Sequence, residues 1–164
     1  MGRPGSLTSE RAHPNVTLRV AREDDVSLIR AWRNDADAIR FSVSARPVSD
    51  AEHARWFSAT LADPRKLLWV AEEQGVPVGQ VRIDLEGDTG IFSIVVAPSA
   101  RGRGVGKEML RRALAEIKRE RLATTMTALT HPDNVASIRA FEQVGFTRRG
   151  VSDAGFVVLD LLVP

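Results

Sequence analysis

The sequence contains neither cysteine nor tyrosine, and these absences exclude several kinds of chemistry. Without cysteine the chain can form no disulfide, bind no metal through thiolate and use no thiolate nucleophile. Without tyrosine no phenol can serve as a general acid. No apolar run approaches the roughly 20 residues of a membrane span. We therefore expect a cytoplasmic protein with no membrane contact.

A strong excess of charge of one sign is also lacking, because 23 basic residues stand against 21 acidic ones and leave a net charge of +2. Such a balance does not predict a general polyanion-binding surface, so we expect no nucleic-acid partner. With 164 residues the chain is long enough for one domain with a sizeable core. We expect a flexible leader over residues 1–14, rich in Gly, Pro, Ser and Arg, a single domain over residues 15–164, and a monomer or homodimer.

Hydrophobic periodicity predicts the order strand, two helices, three strands, helix, strand, helix and two strands. The first strand is the alternating stretch 16–21. Asp24 or Asp25 can cap the first helix, and Ser49 with Glu52 has the spacing of a capping box for the second.

The most informative stretch is Arg-Gly-Arg-Gly-Val-Gly at residues 101–106, which lies between an apolar strand and a helix predicted over residues 105–121. The first turn of a helix presents unpaired N–H groups and a partial positive charge, so it readily binds an anion. Glycines let phosphate oxygens approach the backbone, and the nearby basic side chains add charge-assisted contacts. The spacing fits neither the P-loop nor the dinucleotide fingerprint.

This stretch resembles the signature Q/R-x-x-G-x-G/A of the GCN5-related N-acetyltransferases, the GNAT family. "IVVAPSARGRGVGKEML" is similar to that family's strand, loop and helix, and "HPDNVASIRAFEQVGF" to its second cofactor segment, in the family's order and spacing. The resemblance implies an α/β (α+β) fold. Its central twisted sheet would be mixed but mostly antiparallel, with about seven strands, about four flanking helices and a splayed strand pair that holds the cofactor.

The resemblance also implies acetyl-CoA as co-substrate and no metal. Residues 101–107 would hold the diphosphate, the backbone of residues 94–96 would pair with the pantetheine arm, and Asn134 and Phe141 would line its other side. Asn134 is equally well placed to cap a helix. The implied cofactor residues are Ile94, Val95, Val96, Arg101, Gly102, Arg103, Gly104, Val105, Gly106, Lys107, Asn134, Ser137 and Phe141.

Catalysis departs from the family pattern, because Phe141 stands where many members have a tyrosine general acid. The remaining proton sources are Ser137, water and the ammonium product. Since the chain has no cysteine for an acyl-enzyme, direct attack within a ternary complex is expected. No general base is assigned, because exposed carboxylates are usually only solvated and a histidine in a turn is usually structural. The weak candidates are Asp84, Glu86 and His131; Glu23 and Glu52 are further off, and His53 is also possible.

The first two helices carry the residues expected to select the acceptor. "IRAWRNDADAIRFSV" and "SDAEHARWF" resemble enzymes that acetylate amino groups on nucleotide-linked sugars, and the neighbouring ribosomal-protein N-terminal acetyltransferases. The candidates for acceptor binding are Trp32, Arg33, Asn34, Phe41, His53 and Trp56. The expected substrate is a small-molecule primary amine; the alternatives are protein or peptide N-terminal acetylation, and a non-catalytic acyl-CoA-binding module.

Overall fold

The computed structural model describes residues 13–164, so most of the predicted leader lies outside the described residues. The strands are β1 (Val16–Val20), β2 (Lys66–Glu73), β3 (Val76–Glu86), β4 (Thr89–Val96), β5 (Thr125–Thr130), β6 (Thr147–Val151) and β7 (Val157–Leu162). The α-helices are α1 (Val26–Arg33), α2 (Ala36–Phe41), α3 (Asp50–Ala62), α4 (Val105–Glu120) and α5 (Val135–Gln143). No helix among these is long and apolar enough to cross a membrane.

All seven strands form one sheet in the order β1-β2-β3-β4-β5-β7-β6. The pair β4–β5 is parallel, and the other five pairs are antiparallel. A parallel pair needs a crossover, which α4 provides between these two strands. The predicted fold class is confirmed.

The structure has one α-helix more than the four predicted, because the region before α3 divides into two short helices. The side chain of Asp35 accepts hydrogen bonds from the backbone N–H groups of Asp37 and Ala38, and so starts α2 directly after α1 ends. The helix α2 has only six residues and no buried residue, so it leaves almost no hydrophobic periodicity to detect.

The predictions for two helix caps, those of α3 and α1, had different outcomes. Ser49 and Glu52 form the predicted capping box at the start of α3. Asp25, in contrast, makes no side-chain capping bond to α1, and the prediction that Asp24 or Asp25 caps this helix is wrong for Asp25. Its carboxylate instead accepts two hydrogen bonds from Arg19, at 2.8 and 2.9 Å, and one from the backbone N–H of Arg22.

The two faces of the sheet are covered by different helices. A Cβ added at Gly79 in β3 would meet Met109 of α4, so the odd-numbered residues of β3 face α4. The even-numbered residues face the opposite side, where the guanidinium of Arg82 lies 5.6 Å from the ring centre of Trp56 in α3. We call this second side the α1–α3 face.

Gly79→Ala is expected to destabilise the protein by about 1–3 kcal/mol, which is a typical cost of overpacking a core. The new methyl carbon would lie 2.5 Å from the carbonyl oxygen of Val95, a backbone atom that the pairing of β4 with β3 holds in place. Gly90→Ala is the matched control, because the nearest atoms there belong to the flexible end of Met126. Thermal unfolding should show the larger loss for Gly79→Ala; equal losses would contradict this explanation.

Candidate active site

The sheet opens between β4 and β5. The two strands pair from Thr89 with Thr125 as far as Phe92 with Ala128, and no further. Beyond that point β4 continues to Val96 while still paired with β3. One edge of residues 93–96 therefore has no partner strand among residues 13–164, and this is the splayed pair that the family resemblance predicted.

Ladder alternation decides which backbone groups face this gap. The N–H of Ala97 donates to the carbonyl of Val78 at 2.8 Å, so the odd-numbered residues of β4 bond to β3. Ile94 and Val96 consequently turn their N–H and C=O groups toward the gap, while Val95 does not. An amide-containing arm can pair with these groups as an added strand does.

A loop and the start of α4 follow at the end of β4. Gly102 and Gly104 have φ angles of +78° and +79°, a region that L side chains seldom adopt. Apart from the chain neighbours, no atom of residues 13–164 lies within 4 Å of a Cβ added at either. Gly104 is the N-cap of α4, so the N–H groups of residues 105–107 have no acceptor within the helix. Val105 is buried and anchors this turn. The backbone thus presents a bare anion-binding turn beside the gap.

The basic side chains of this loop are engaged in different ways. Arg101 donates to Asp35 at 2.8 Å, to Asp37 at 3.3 Å and to the carbonyl of Val96 at 3.2 Å. Arg103 donates to Glu73 at 2.9 and 3.3 Å, beside a cleft of about 370 Å³. Lys107 makes no ion pair with any residue from 13 to 164. The charge of Arg101 is therefore used to bind α2, whereas Lys107 is free to meet a phosphate.

The second predicted cofactor segment lies across the gap. Asn134 caps α5, since its side-chain oxygen accepts the N–H of Ser137 at 3.3 Å. Phe141 is only 2% exposed and packs edge-on against Phe92 and Phe146, with ring centres 6.1 and 5.0 Å away. Phe92 is also the last residue of β4 that pairs with β5. This aromatic cluster therefore supports the point where the sheet opens.

A family model described as an acetyltransferase (GNAT) domain matches residues 15–147, which is most of the chain. The chain belongs to the GNAT acetyltransferase family. It is an acyltransferase that uses acetyl-CoA, and both the unpaired edge of β4 and the free turn of α4 suit that co-substrate.

Curated relatives and a solved structure support this assignment. The peptidyl-lysine N-acetyltransferase YjaB of Salmonella typhimurium is 28% identical over 158 residues, covering 91% of this chain and 99% of the relative. An aminoglycoside N(6')-acetyltransferase type 1 of Klebsiella pneumoniae is 23% identical over 155 residues, with 85% and 77% covered. The structure of yncA from Salmonella typhimurium with acetyl-CoA superposes with a TM-score of 0.76 at 25% identity, covering 92% of this chain and 95% of the other.

Most of the candidate bases lie away from the gap in this acetyltransferase. Glu86 is exposed at the closed end of β3, and Glu23 is exposed in the turn before α1. Glu52 belongs to its capping box, and its hydrogen bonds with Arg46 and with the backbone of Ser49 lower its pKa to about 2. Asp84 is held between Lys66 at 3.6 Å and Arg82 at 3.3 Å, so its charge is already balanced.

Among the candidate bases, only His131 belongs to the second predicted cofactor segment, of which it is the first residue. It follows β5 directly, and its Nδ1 accepts the N–H of Asp133 at 3.1 Å. Its ring lies 5.5 Å from Phe41 at the end of α2 and 5.6 Å from Phe156 before β7. With Nδ1 occupied, the neutral ring carries its proton on Nε2, so it is arranged as a donor there rather than as a base.

The six candidate acceptor residues divide into three pairs. Trp32 and His53 are core residues, 6% and 3% exposed; His53 contacts the carbonyl of Val26 at 2.9 Å, and burial lowers its pKa. Arg33 and Asn34 hold the loop before α3, through Ser44 and Val48 respectively. Phe41 and Trp56 are only partly buried. Trp56 lies on the α1–α3 face, beside the guanidinium of Arg82, and Phe41 lies beside the ring of His131.

Several residues around the gap were not indicated by the sequence. Asp35, Asp37 and Glu73 bind the loop arginines from 66, 64 and 30 positions away. Gln80 is a buried polar residue in the middle of β3, and its place in the apolar stretch "VPVGQVRI" was the available signal. No cluster of three or more His, Asp or Glu side chains that could hold a metal occurs in residues 13–164.

Proposed function

We propose that this protein transfers the acetyl group of acetyl-CoA to the primary amine of a small molecule, namely an amino sugar or a nucleotide-linked amino sugar. The observation that carries the proposal is the gap between β4 and β5, which has the anion-binding turn of α4 at one end and opens onto the α1–α3 face. The name of the Klebsiella pneumoniae relative, an aminoglycoside acetyltransferase, supports an amino-sugar acceptor.

In this proposal the backbone of Ile94 and Val96 pairs with the pantetheine arm. The N–H groups of residues 102–107, with Arg103 and Lys107, hold the diphosphate. When the diphosphate enters, it competes with Glu73 for the guanidinium of Arg103. Arg103 then either leaves Glu73 or contacts both anions. Asn134, Ser137 and Phe141 line the opposite wall.

The chemistry needs a neutral amine positioned against a polarised thioester. Acetyl-CoA supplies that thioester, whose carbonyl carbon bonds to the amine nitrogen as the carbon–sulfur bond breaks and the amine's proton passes to sulfur. The chain has no cysteine or tyrosine, so neither an acyl-cysteine nor a phenol takes part. A thiol has an unperturbed pKa of ~8.5, so the thiolate leaves without a dedicated acid and takes its proton from the ammonium, from water or from Ser137.

A screen of acceptors by release of free thiol tests this function. Amino sugars, nucleotide-linked amino sugars and aminoglycosides should turn over at least about tenfold faster than peptides that carry free N-termini or lysines, since one or two unmade hydrogen bonds to a polar site cost that factor. Faster turnover of peptides would instead favour the protein-acetylating alternative, in line with the name of YjaB. Tight acetyl-CoA binding without turnover of any amine would favour the non-catalytic module.

A further inference from the structure

Four polar side-chain atoms are buried without any hydrogen-bond partner among residues 13–164, and three of them belong to one strand. They are the amide oxygen of Gln80, Nε of Arg82 and Oδ1 of Asp84, with Nη1 of Arg33 as the fourth. Side chains alternate between the two faces along β3, so those of Gln80, Arg82 and Asp84 all lie on the α1–α3 face. An unsatisfied buried polar atom is costly, so three successive ones on one face require an explanation.

Strand register relates these residues to the gap. Gln80 is opposite Val95 and Arg82 is opposite Ser93, and both of these β4 residues lie beyond the last pair with β5. Adjacent strands are about 4.8 Å apart, so Gln80 and Arg82 lie one strand away from the open edge. Asp84 is opposite Ile91, where the sheet is still closed, and Lys66 and Arg82 already balance its charge.

Gln80 is the most deeply buried of the three, at 5% exposure. A leucine or methionine would fill such a position without an unmet hydrogen bond. Arg82 packs its guanidinium near Trp56, and its contact with Asp84 at 3.3 Å runs through Nη2, so Nε remains available. Both side chains thus keep hydrogen-bonding capacity that no residue from 13 to 164 uses.

The α1–α3 face is also the open side of the gap. The opposite side is filled by the cluster of Phe92, Phe141 and Phe146, whereas Leu129 of β5, on the α1–α3 face, is 47% exposed. An acceptor that reaches a thioester in the gap therefore approaches across Gln80 and Arg82.

We infer that Gln80 and Arg82 form the acceptor subsite and select an amine that has a neighbouring hydroxyl group. The amide oxygen of Gln80 accepts a hydrogen bond from the reacting amine, and Nε of Arg82 donates to a neighbouring hydroxyl. An amino sugar supplies both groups. A polyamine supplies N–H donors and positive charge but no oxygen, so it leaves Arg82 unpaired and meets a like charge. This inference rests on the proposed function.

The test compares glucosamine and spermidine as acceptors for the full chain. Wild type should show a kcat/KM for glucosamine at least ~10-fold above that for spermidine, as expected when a site built to bond a hydroxyl meets an amine that lacks one. Arg82→Met should lower the value for glucosamine ~10-fold or more and leave that for spermidine unchanged or higher. Gln80→Leu should lower both.

Two further measurements separate this role from a structural one. Gln80→Leu should unfold at the same or a higher temperature than wild type and bind acetyl-CoA with unchanged affinity, because it removes an unmet buried amide. The control variants Gln143→Leu and Arg65→Met, of exposed residues at the end of α5 and before β2, should behave as wild type.

Three outcomes would overturn the inference: unchanged turnover in both site variants, a wild-type preference for spermidine, or parallel loss of stability, acetyl-CoA affinity and turnover in Gln80→Leu. If wild type acetylates no amine at all, the proposed function fails first and the subsite falls with it.

Discussion

Gly104→Glu is expected to weaken acetyl-CoA binding by ~100-fold or more, measured by calorimetry. The new carboxylate would stand at the N-cap of α4, beside the N–H groups of residues 105–107 that are proposed to hold the diphosphate. Like charges about 4 Å apart near a protein surface repel by up to about 4 kcal/mol, and each 1.4 kcal/mol is a factor of ten in affinity. The side chain would also bond to the same N–H groups and compete with phosphate for them.

The matched control for this change is Gly155→Glu. Gly155 has a φ of +82°, against +79° for Gly104, and at both positions an added Cβ meets nothing within 4 Å in the described part of the chain beyond its chain neighbours. Both variants therefore carry similar backbone strain, but Gly155 lies in the turn before β7. The control should bind acetyl-CoA as wild type does. Equal weakening in the two variants would mean that strain, and not a lost diphosphate site, explains the effect.

Arg101→Met is expected to lower kcat/KM for the acceptor ~10-fold or more while changing acetyl-CoA affinity by less than about threefold. Arg101 forms ion pairs with Asp35 and Asp37 at the start of α2. Hydrogen bonds to charged groups contribute about 1.5–3 kcal/mol each, and solvent screening reduces that contribution at this partly exposed site. Without them α2 is no longer attached to the end of β4, and Phe41 at its other end loses its position.

Asp35→Asn is the companion variant, because asparagine preserves the cap of α2 and removes the charge that Arg101 binds. It should reproduce the loss in acceptor turnover, and the double variant should lose little more than either single one. If instead Arg101→Met weakens acetyl-CoA binding as strongly as Arg103→Met, the guanidinium of Arg101 contacts the diphosphate, as the family resemblance implied.

The sequence predicted the parts of the structure that depend on local patterns. The strand, glycine loop and helix around residues 94–107 follow from hydrophobic periodicity and backbone requirements. The capping box of Ser49 and Glu52 follows from residue spacing. Membership of the family predicted the splayed strands, which periodicity could not.

Long-range ion pairs and burial were not predictable in this way. Asp25 is a residue type that often caps helices. Its carboxylate instead accepts hydrogen bonds from Arg19, which also bonds Glu72 across the sheet, and therefore does not cap α1. The partners of Arg101 are 64 and 66 residues distant in sequence. Gln80 stands in an apolar stretch of the sequence, but only the packing of α1 on β3, with α3 on the neighbouring β2, shows that its amide is buried.

A crystal structure of the protein with coenzyme A tests the proposed cofactor site most directly. The pantetheine amides are expected to bond to the backbone of Ile94 and Val96, with the diphosphate against the N–H groups at the start of α4. The sulfur should emerge on the α1–α3 face near Ser93. Coenzyme A bound elsewhere, or with β4 and β5 paired along their whole length, would contradict it.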